Sequence, residues 1–325
     1  MIFLFNNSTD AAFNLALEEL LPSFFQDDII MLWRNRSAVI VGRNQNTASE
    51  IDAAFVRDND IQVIRRMTGG GAVYHDLGNI NYTIVVRDRQ LSPESFSANA
   101  APVLSALRSL GIPAEFSGRN DILADGRKIS GSAKTVLTDR TLFHGTLLFS
   151  ADLEMLGKVL TPDPEKIRAK GIKSVRSRVA NLQEFLPQLS VDGFIEILKD
   201  KLIEETGAID YSLPAELIHA AEDLADTKYR TWLWNYGTAM NYSYTKKLRF
   251  DFGSCRISFN VVDNKIADFA LTGDFFGAEP AENISGYFNG IAPDFETVSQ
   301  VVKKIPVENF IHGAEADDFL LLFDL

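Results

Sequence analysis

The sequence predicts an α+β protein: a large domain over residues 1–240, in which helices pack on a β-sheet core, and a small C-terminal α+β domain over residues 241–325. Three observations predict it. Runs of β-branched and aromatic residues at 61–86 and 112–149 are broken by Gly and Asp turn signals, as short paired strands require. Apolar residues recur at helical spacing near 11–21, 92–107 and 190–205. After Thr231-Trp-Leu-Trp-Asn-Tyr-Gly237 the composition shifts, and a second unit of strands followed by helices begins.

Phe13, Ala16, Leu17, Leu20 and Leu21 give residues 11–21 one apolar face, with Asp10 placed to cap the helix and Pro22 just beyond it. Residues 29–33 and 38–41 read as strands, the second running into Gly42-Arg-Asn-Gln45. Ser49 is placed to cap a short helix through Arg57. A strand over 61–64 leads into a glycine-rich loop, and a strand over 80–86 leaves it. Pro93 at a first helical position opens a longer helix whose apolar face carries Phe96, Ala100, Val103, Leu104 and Leu107, and Gly111 and Pro113 end it.

Strands follow at 112–116, 121–124, 128–136 and 141–149, with a hairpin turn at Asp125-Gly126. Ser190 caps a helix to about residue 205, and a further helix covers 214–224. The C-terminal unit reads as strands at 247–252, 256–262 and 265–271, with a turn at Asp263-Asn264, then helices at 281–288, 295–304 and 315–325.

A chain of 325 residues, 46% of them hydrophobic, can fill two cores. The net charge of −12 argues against a general nucleic-acid binder, because that affinity comes from neutralising phosphates, so any basic site is local. One cysteine, Cys255, cannot form an intramolecular disulfide, and no cluster suggests a structural zinc. The start, Met1-Ile-Phe-Leu-Phe5, is short for a signal core and has no basic residue before it, and no apolar run of about 18 residues occurs. The expectation is a soluble cytoplasmic protein with no membrane or nucleic-acid partner.

Candidate chemistry concentrates in residues 65–82, Arg-Arg-Met-Thr-Gly-Gly-Gly-Ala-Val-Tyr-His-Asp-Leu-Gly-Asn-Ile-Asn-Tyr. Gly69, Gly70 and Gly71 remove every Cβ that would hold a ligand off the backbone, and Arg65 and Arg66 bring planar donors suited to carboxylate or phosphate. A tight turn would explain the glycines alone, but not the Tyr74, His75, Asp76 and Asn79 that follow. The pattern is neither a Walker loop nor a dinucleotide fingerprint. Lys128 leaves the Asp125-Gly126 hairpin beside the small residues Ser130, Gly131, Ser132 and Ala133, over which a ligand could lie; a solvated lysine is the plain alternative. Lys166, Arg168, Lys170, Lys173, Arg176 and Arg178 form a basic stretch without an acidic residue, either a solvated face or a collector of anions.

Arg65 to Asn79 resembles the signature of the lipoate-protein ligase A family, whose catalytic fold is shared with biotin-protein ligases. The resemblance continues in order through Gly118-Arg-Asn-Asp121, Arg127-Lys-Ile-Ser-Gly-Ser-Ala133, His144-Gly-Thr146, Lys170-Gly-Ile-Lys-Ser-Val-Arg-Ser-Arg-Val179 and Trp234-Asn-Tyr-Gly237. It implies a sheet core of the biotin/lipoate-protein ligase type and activation of lipoate by ATP to lipoyl-AMP, followed by transfer to a lysine. The acceptors it implies are lipoyl domains of 2-oxoacid dehydrogenase E2 subunits or the glycine-cleavage H protein.

By the same resemblance Lys128 is the catalytic residue, contacting the lipoate carboxylate and the ATP α-phosphate. Arg66, the amides of Gly71, Ala72, Val73 and Tyr74, and Asn79 would hold the adenylate, with Asp121 beside the nucleotide. Gly70, His75 and His144 would line the acyl side, where Trp33 is either a wall or plain core. Lys173, Ser174, Val175 and Arg176 would belong to an adenylate-binding loop. Mg²⁺ is implied by ATP, but His75, His144, His219 and His312 are scattered and no metal ligand is assigned. An acyltransferase of the same fold would need a nucleophilic cysteine, and Cys255 stands outside every motif. A biotin ligase, or a non-catalytic lipoate carrier that kept the pocket, are the other readings, and the small domain could serve as a lid.

Overall fold

The computed structural model of the chain describes residues 1–87, 93–118, 120–137, 139–160, 178–236 and 244–323. In chain order come β1 (Ile2–Phe5), α1 (Ala11–Phe24), β2 (Ile29–Arg34), β3 (Ala38–Val41), α2 (Thr47–Glu50), α3 (Ala53–Asp58), β4 (Gln62–Arg65), β5 (Val73–His75) and β6 (Asn79–Val86). Next are α4 (Pro93–Ser109), β7 (Ala114–Ser117), β8 (Asp121–Ala124), β9 (Arg127–Leu137), β10 (Arg140–Leu148) and α5 (Leu153–Val159). The helix Val191–Thr206, β11 (Ile209–Tyr211) and the helices Ala215–Leu224 and Trp232–Tyr236 precede β12 (Tyr244–Phe250), β13 (Gly253–Val262) and β14 (Lys265–Gly273).

An eight-stranded mixed sheet in the order β11-β1-β2-β6-β10-β9-β8-β7 forms the main core. Its centre is β6, buried along nearly its whole length. Alternation on β6 decides what each face of the sheet becomes. Ile80, Tyr82 and Ile84 join α4 and the helix Val191–Thr206 in one apolar cluster. Asn79, Asn81 and Thr83 point to the other face, which meets α1 and a small sheet in the order β4-β3-β5. The glycine-rich loop joins β4 to β5 and so hangs over that polar face.

Several boundaries differ from expectation. Asp10 caps α1 by accepting from the Ala12 amide at 3.0 Å, but the helix runs through Pro22 to Phe24. Proline there removes a single ladder donor in the last turn, a small loss beside the buried Leu15, Leu17 and Leu21. Ser49 lies inside α2, and the cap of α3 is Asp52, which accepts from the Phe55 amide at 3.0 Å. The Asp125-Gly126 turn is as expected, with both residues at positive φ, 49° and 71°, the geometry a two-residue hairpin loop needs.

Beyond residue 243, β12-β13-β14 form a three-stranded antiparallel sheet. It covers an apolar cluster of its own that includes Cys255, Phe259, Phe269, Phe288 and Phe323. The last helix, Ala316–Leu320, is shorter than the sequence suggests, and Val307–Phe310 adds a turn too brief to show a period. Among the described residues no helix is long and apolar enough to cross a membrane.

Candidate active site

Both arginines that open the loop are buried and spent on carbonyl oxygens. Arg66 donates from Nε to Thr68 Oγ1 at 2.9 Å, from one terminal nitrogen to the Ile40 carbonyl at 3.1 Å, and from the other to Gly69 and Gly71 carbonyls at 2.6 and 2.9 Å. The guanidinium expected to face an anion thus draws the glycine loop into shape from behind. Burial pulls its pKa down to about 10, which still leaves it charged at neutral pH. Arg65 likewise binds the carbonyls of Gly42, Arg43 and Gln45, while its backbone amide donates to Asn235 Oδ1 at 2.8 Å. Trp234 and Asn235, which the sequence marks as part of the resemblance without a role, therefore pin the root of the loop.

Gly70 has φ +89°, a left-handed conformation that suits glycine. A Cβ on Gly71 would meet nothing within 4 Å, so that part of the loop stays open to an approaching group. Ala72 and the Tyr74 ring pack on the far side of the small sheet with Val39 and Val41, and the Tyr74 hydroxyl donates to Ser37 at 3.3 Å. Val73 and His75, alternating with Tyr74, face the other way, Val73 against the α1 cluster.

Lys128 lies across the polar face from the loop. Its ammonium pairs with Asp121 at 2.7 Å, both side chains about one-third exposed. A bulge at Ile129, where β8 advances one residue while β9 advances two, turns Lys128 toward Gly131. A Cβ on Gly131 would lie 2.8 Å from Lys128 Nζ, so that glycine makes the room the lysine occupies. The Lys128 amide donates to the Arg178 carbonyl at 2.8 Å and its carbonyl accepts from Ala180 at 2.9 Å. The end of the basic stretch thus runs beside the lysine, while Lys173, Ser174, Val175 and Arg176 fall outside the described residues.

Between these two edges lies a buried polar network that the sequence did not disclose. Trp33 donates from Nε1 to Thr83 Oγ1 at 2.8 Å, and Thr83 donates to Glu18 at 2.6 Å. The same Glu18 carboxylate holds His144 Nδ1 at 2.8 Å, and His144 Nε2 meets Thr68 Oγ1 at 2.9 Å, which in turn accepts from Arg66. A carboxylate on α1 is thereby linked through two side chains to the guanidinium behind the loop. Nothing in the sequence marks Glu18, since a glutamate on an amphipathic helix reads as solvent-facing.

His75 is buried on β5, and burial, helped by the nearby charges of Arg66 and His144, pulls its pKa from 6.5 down to about 3. Between those values the unfolded chain carries the extra proton, so stability should fall as pH drops below about 6.5. A His75→Phe variant is expected to show a flatter acid limb in a plot of unfolding midpoint against pH between about 6.5 and 4; an unchanged limb would show that other groups cause it. Asn79 is fully buried and its amide nitrogen donates to Asn81 at 2.9 Å. Among the described residues no group of three or more His, Cys, Asp or Glu side chains could hold a metal ion.

The C-terminal unit reaches this site. Phe276 joins the main apolar cluster, its ring 5.3 Å from that of Phe96. The Phe275 carbonyl sits 3.4 Å from the Gly70 amide, and the Gly273 amide donates to Asn44 at 2.7 Å. Arg43 adds an ion pair with Glu282 at 3.0 Å. No sequence signal foretold that phenylalanines so far along the chain would seat on the glycine loop.

Residues 10–203 match the lipoyl protein ligase A/B catalytic domain, and residues 239–323 match the bacterial lipoate protein ligase C-terminus. The chain is 37% identical over 322 residues to lipoate--protein ligase 1 of Staphylococcus aureus, covering 98% of each chain. It is 35% identical over 327 residues to the lipoate-protein ligase LplJ of Bacillus subtilis, covering 98% of this chain and 99% of that one. Its fold is similar to that of P. falciparum LipL1 in complex with lipoate, with a TM-score of 0.81 at 27% identity over 98% of this chain and 96% of that one. A lipoate-protein ligase A bound with ATP superposes with a TM-score of 0.63 at 30% identity, over 73% of this chain and 98% of that one. A bi-partite ligase of Thermoplasma acidophilum, studied with its E2 lipoyl domain, gives 0.66 at 31% identity over 75% and 98%.

Proposed function

The chain belongs to the lipoate-protein ligase family, and from that premise we infer that it activates lipoate with ATP and joins the lipoyl group to a lysine of an acceptor protein, with Lys128 as the catalytic residue. The observation that carries the assignment is the Lys128–Asp121 pair standing over Gly131, on the same polar sheet face that the glycine loop overhangs. A carboxylic acid does not acylate an amine at neutral pH, because its oxygen leaves poorly. The carboxylate therefore attacks the α-phosphorus of ATP, pyrophosphate departs, and the acceptor amine then attacks the acyl carbon and expels AMP. Charge grows on a phosphoryl oxygen in the first step and on the acyl oxygen in the second. An ammonium on a flexible stem, aimed by Asp121, and bare backbone amides answer both.

Asp121 aims the ammonium, the open loop at Gly71 admits the phosphate, and the basic stretch supplies further cationic contacts. Arg66 serves this reading by shaping the loop, Asn79 is kept for the adenylate, and His75 and His144 border the acyl side. Mg²⁺ would enter on the ATP phosphates. Acceptors would be E2 lipoyl domains and the glycine-cleavage H protein, and the enzyme would use free lipoate, as salvage in a cytoplasm requires. We also take residues 1–240 as the catalytic domain and 241–325 as an accessory one. The seat of Phe275 and Phe276 on the glycine loop is the contact that an accessory domain moving between adenylation and transfer would release; identical scattering profiles for empty and lipoyl-AMP-bound protein would count against such movement.

Lipoate should stimulate ATP–pyrophosphate exchange, biotin should not, and apo lipoyl domain should then become lipoylated. Absence of exchange with lipoate would overturn the reading. A thiol acyltransferase is disfavoured by Cys255, fully buried in the C-terminal cluster. Cys255→Ala is accordingly expected to keep ligation within about twofold of the parent, because the buried thiol acts as a small apolar group and takes no part in the proposed steps; loss of activity with the fold retained would revive the thiol route.

A further inference from the structure

Resting on the reading of lipoate as substrate, we propose that His75 determines specificity for the cyclic disulfide, its Nε2–H donating to a sulfur of the dithiolane ring at the end of the polar sheet face remote from Lys128.

The proton's position follows from a chain of fixed amides. Asn14 Nδ2 faces the carbonyls of Ser8 and Arg34 at 3.0 and 2.8 Å, and its oxygen accepts from Asn6 at 2.7 Å. The same Nδ2 lies 2.8 Å from the Asn35 side chain, so the Asn35 atom there is the oxygen. Asn35 Nδ2 is then left 3.1 Å from His75 Nδ1. Nδ1 must accept, and the ring proton sits on Nε2. Burial keeps the ring neutral, so this tautomer persists across the working pH range. Among the described residues His75 Nε2 is buried without a hydrogen-bond partner, as are Asn79 Oδ1 and Asn81 Nδ2. A buried donor left unmade is costly, and these atoms call for a group that the described residues do not supply.

A ruler across the sheet says which end of the substrate meets them. Lys128 Nζ stands at Gly131 on β9, and Gly131 hydrogen-bonds the Thr146 side chain of β10 at 3.2 Å. Thr146 pairs with Asn81 on β6, and Asn81 with Trp33 on β2, so these side chains share one face. Neighbouring strands lie about 4.8 Å apart, which puts Asn81 about 10 Å and Trp33 about 14 Å from Gly131. That is roughly the reach of a pentanoate chain with a ring at its far end. Asn35 follows Trp33 by two residues and holds His75 at that end. With the carboxyl at Lys128, the only acceptors lipoate can bring there are its sulfurs. Sulfur accepts weakly, but a saturated acid brings nothing and leaves the donor orphaned.

The test is ATP–pyrophosphate exchange by the full chain with lipoate, octanoate and 5-cyclopentylpentanoate, the sulfur-free ring of the same shape. Wild-type kcat/KM should favour lipoate over the carbocycle by about tenfold, and His75→Phe should lower the value for lipoate more than for the carbocycle, bringing the ratio toward one. A wild-type ratio near one, or a ratio that survives His75→Phe, overturns the proposal and leaves the donor to a bound water. Exchange with none of the acids would instead sink the substrate reading itself. Should His75→Phe not fold, imidazole nitrogen spectra of the wild-type protein decide: an Nε2–H tautomer is expected, and an Nδ1–H tautomer overturns the proposal.

Discussion

Replacing Lys128 with alanine is expected to lower lipoate-dependent adenylation on the order of a hundredfold, about 3 kcal/mol of transition-state stabilisation, as loss of one preorganised donor does. The fold should survive the change. The strand position is held through backbone bonds to Arg178 and Ala180, which alanine keeps, and the abandoned Asp121 is exposed enough for water to solvate it. What is lost is a compact charge able to follow an oxygen as carboxylate becomes mixed anhydride. Initial rates of pyrophosphate exchange, read beside the unfolding midpoint, separate the two effects. A variant with parental stability and a rate within about twofold of wild type would remove Lys128 from the mechanism.

The parts of this site that were legible in the sequence are those in which local chemistry and position coincide. The β-branched and aromatic run at 80–86 reads as a strand, and β6 covers it as Asn79–Val86, with Ile80, Tyr82 and Ile84 on its apolar face. The Asp125-Gly126 turn placed Lys128 at a strand start because only residues that tolerate positive φ suit such a hairpin. What stayed illegible depends on partners distant in the chain. Arg65 and Arg66 display donors, but a sequence does not show that backbone carbonyls will consume them. Glu18 becomes a buried member of the His144 network only when α1 packs over the sheet. Phe276 becomes part of the main core only when the C-terminal unit docks. In each case the missing information is which acceptor or surface lies opposite.

Gly42 gives the sharpest test of whether the loop's shape, rather than its composition, carries the activity. A Cβ at that position would stand 1.9 Å from the Gly70 carbonyl oxygen, a distance no packing tolerates, and the obstacle is backbone. Gly42 cannot yield easily. Its amide donates to Gln45 Oε1 at 2.9 Å and its carbonyl accepts from the buried Arg65 at 3.0 Å. The loop must therefore move, and a displacement of about 1 Å at a catalytic element typically costs on the order of a hundredfold. Gly42→Ala should thus lose adenylation nearly as fully as Lys128→Ala, with about 1–3 kcal/mol of overpacking visible in the unfolding midpoint. Gly71→Ala is the matched control for stability, because its Cβ would meet open space and the midpoint should stay with the parent. Should Gly42→Ala adenylate lipoate at the parental rate, the glycine loop would not be the element that aligns the reacting groups, and the amides around Gly71 would have to be dropped from the mechanism.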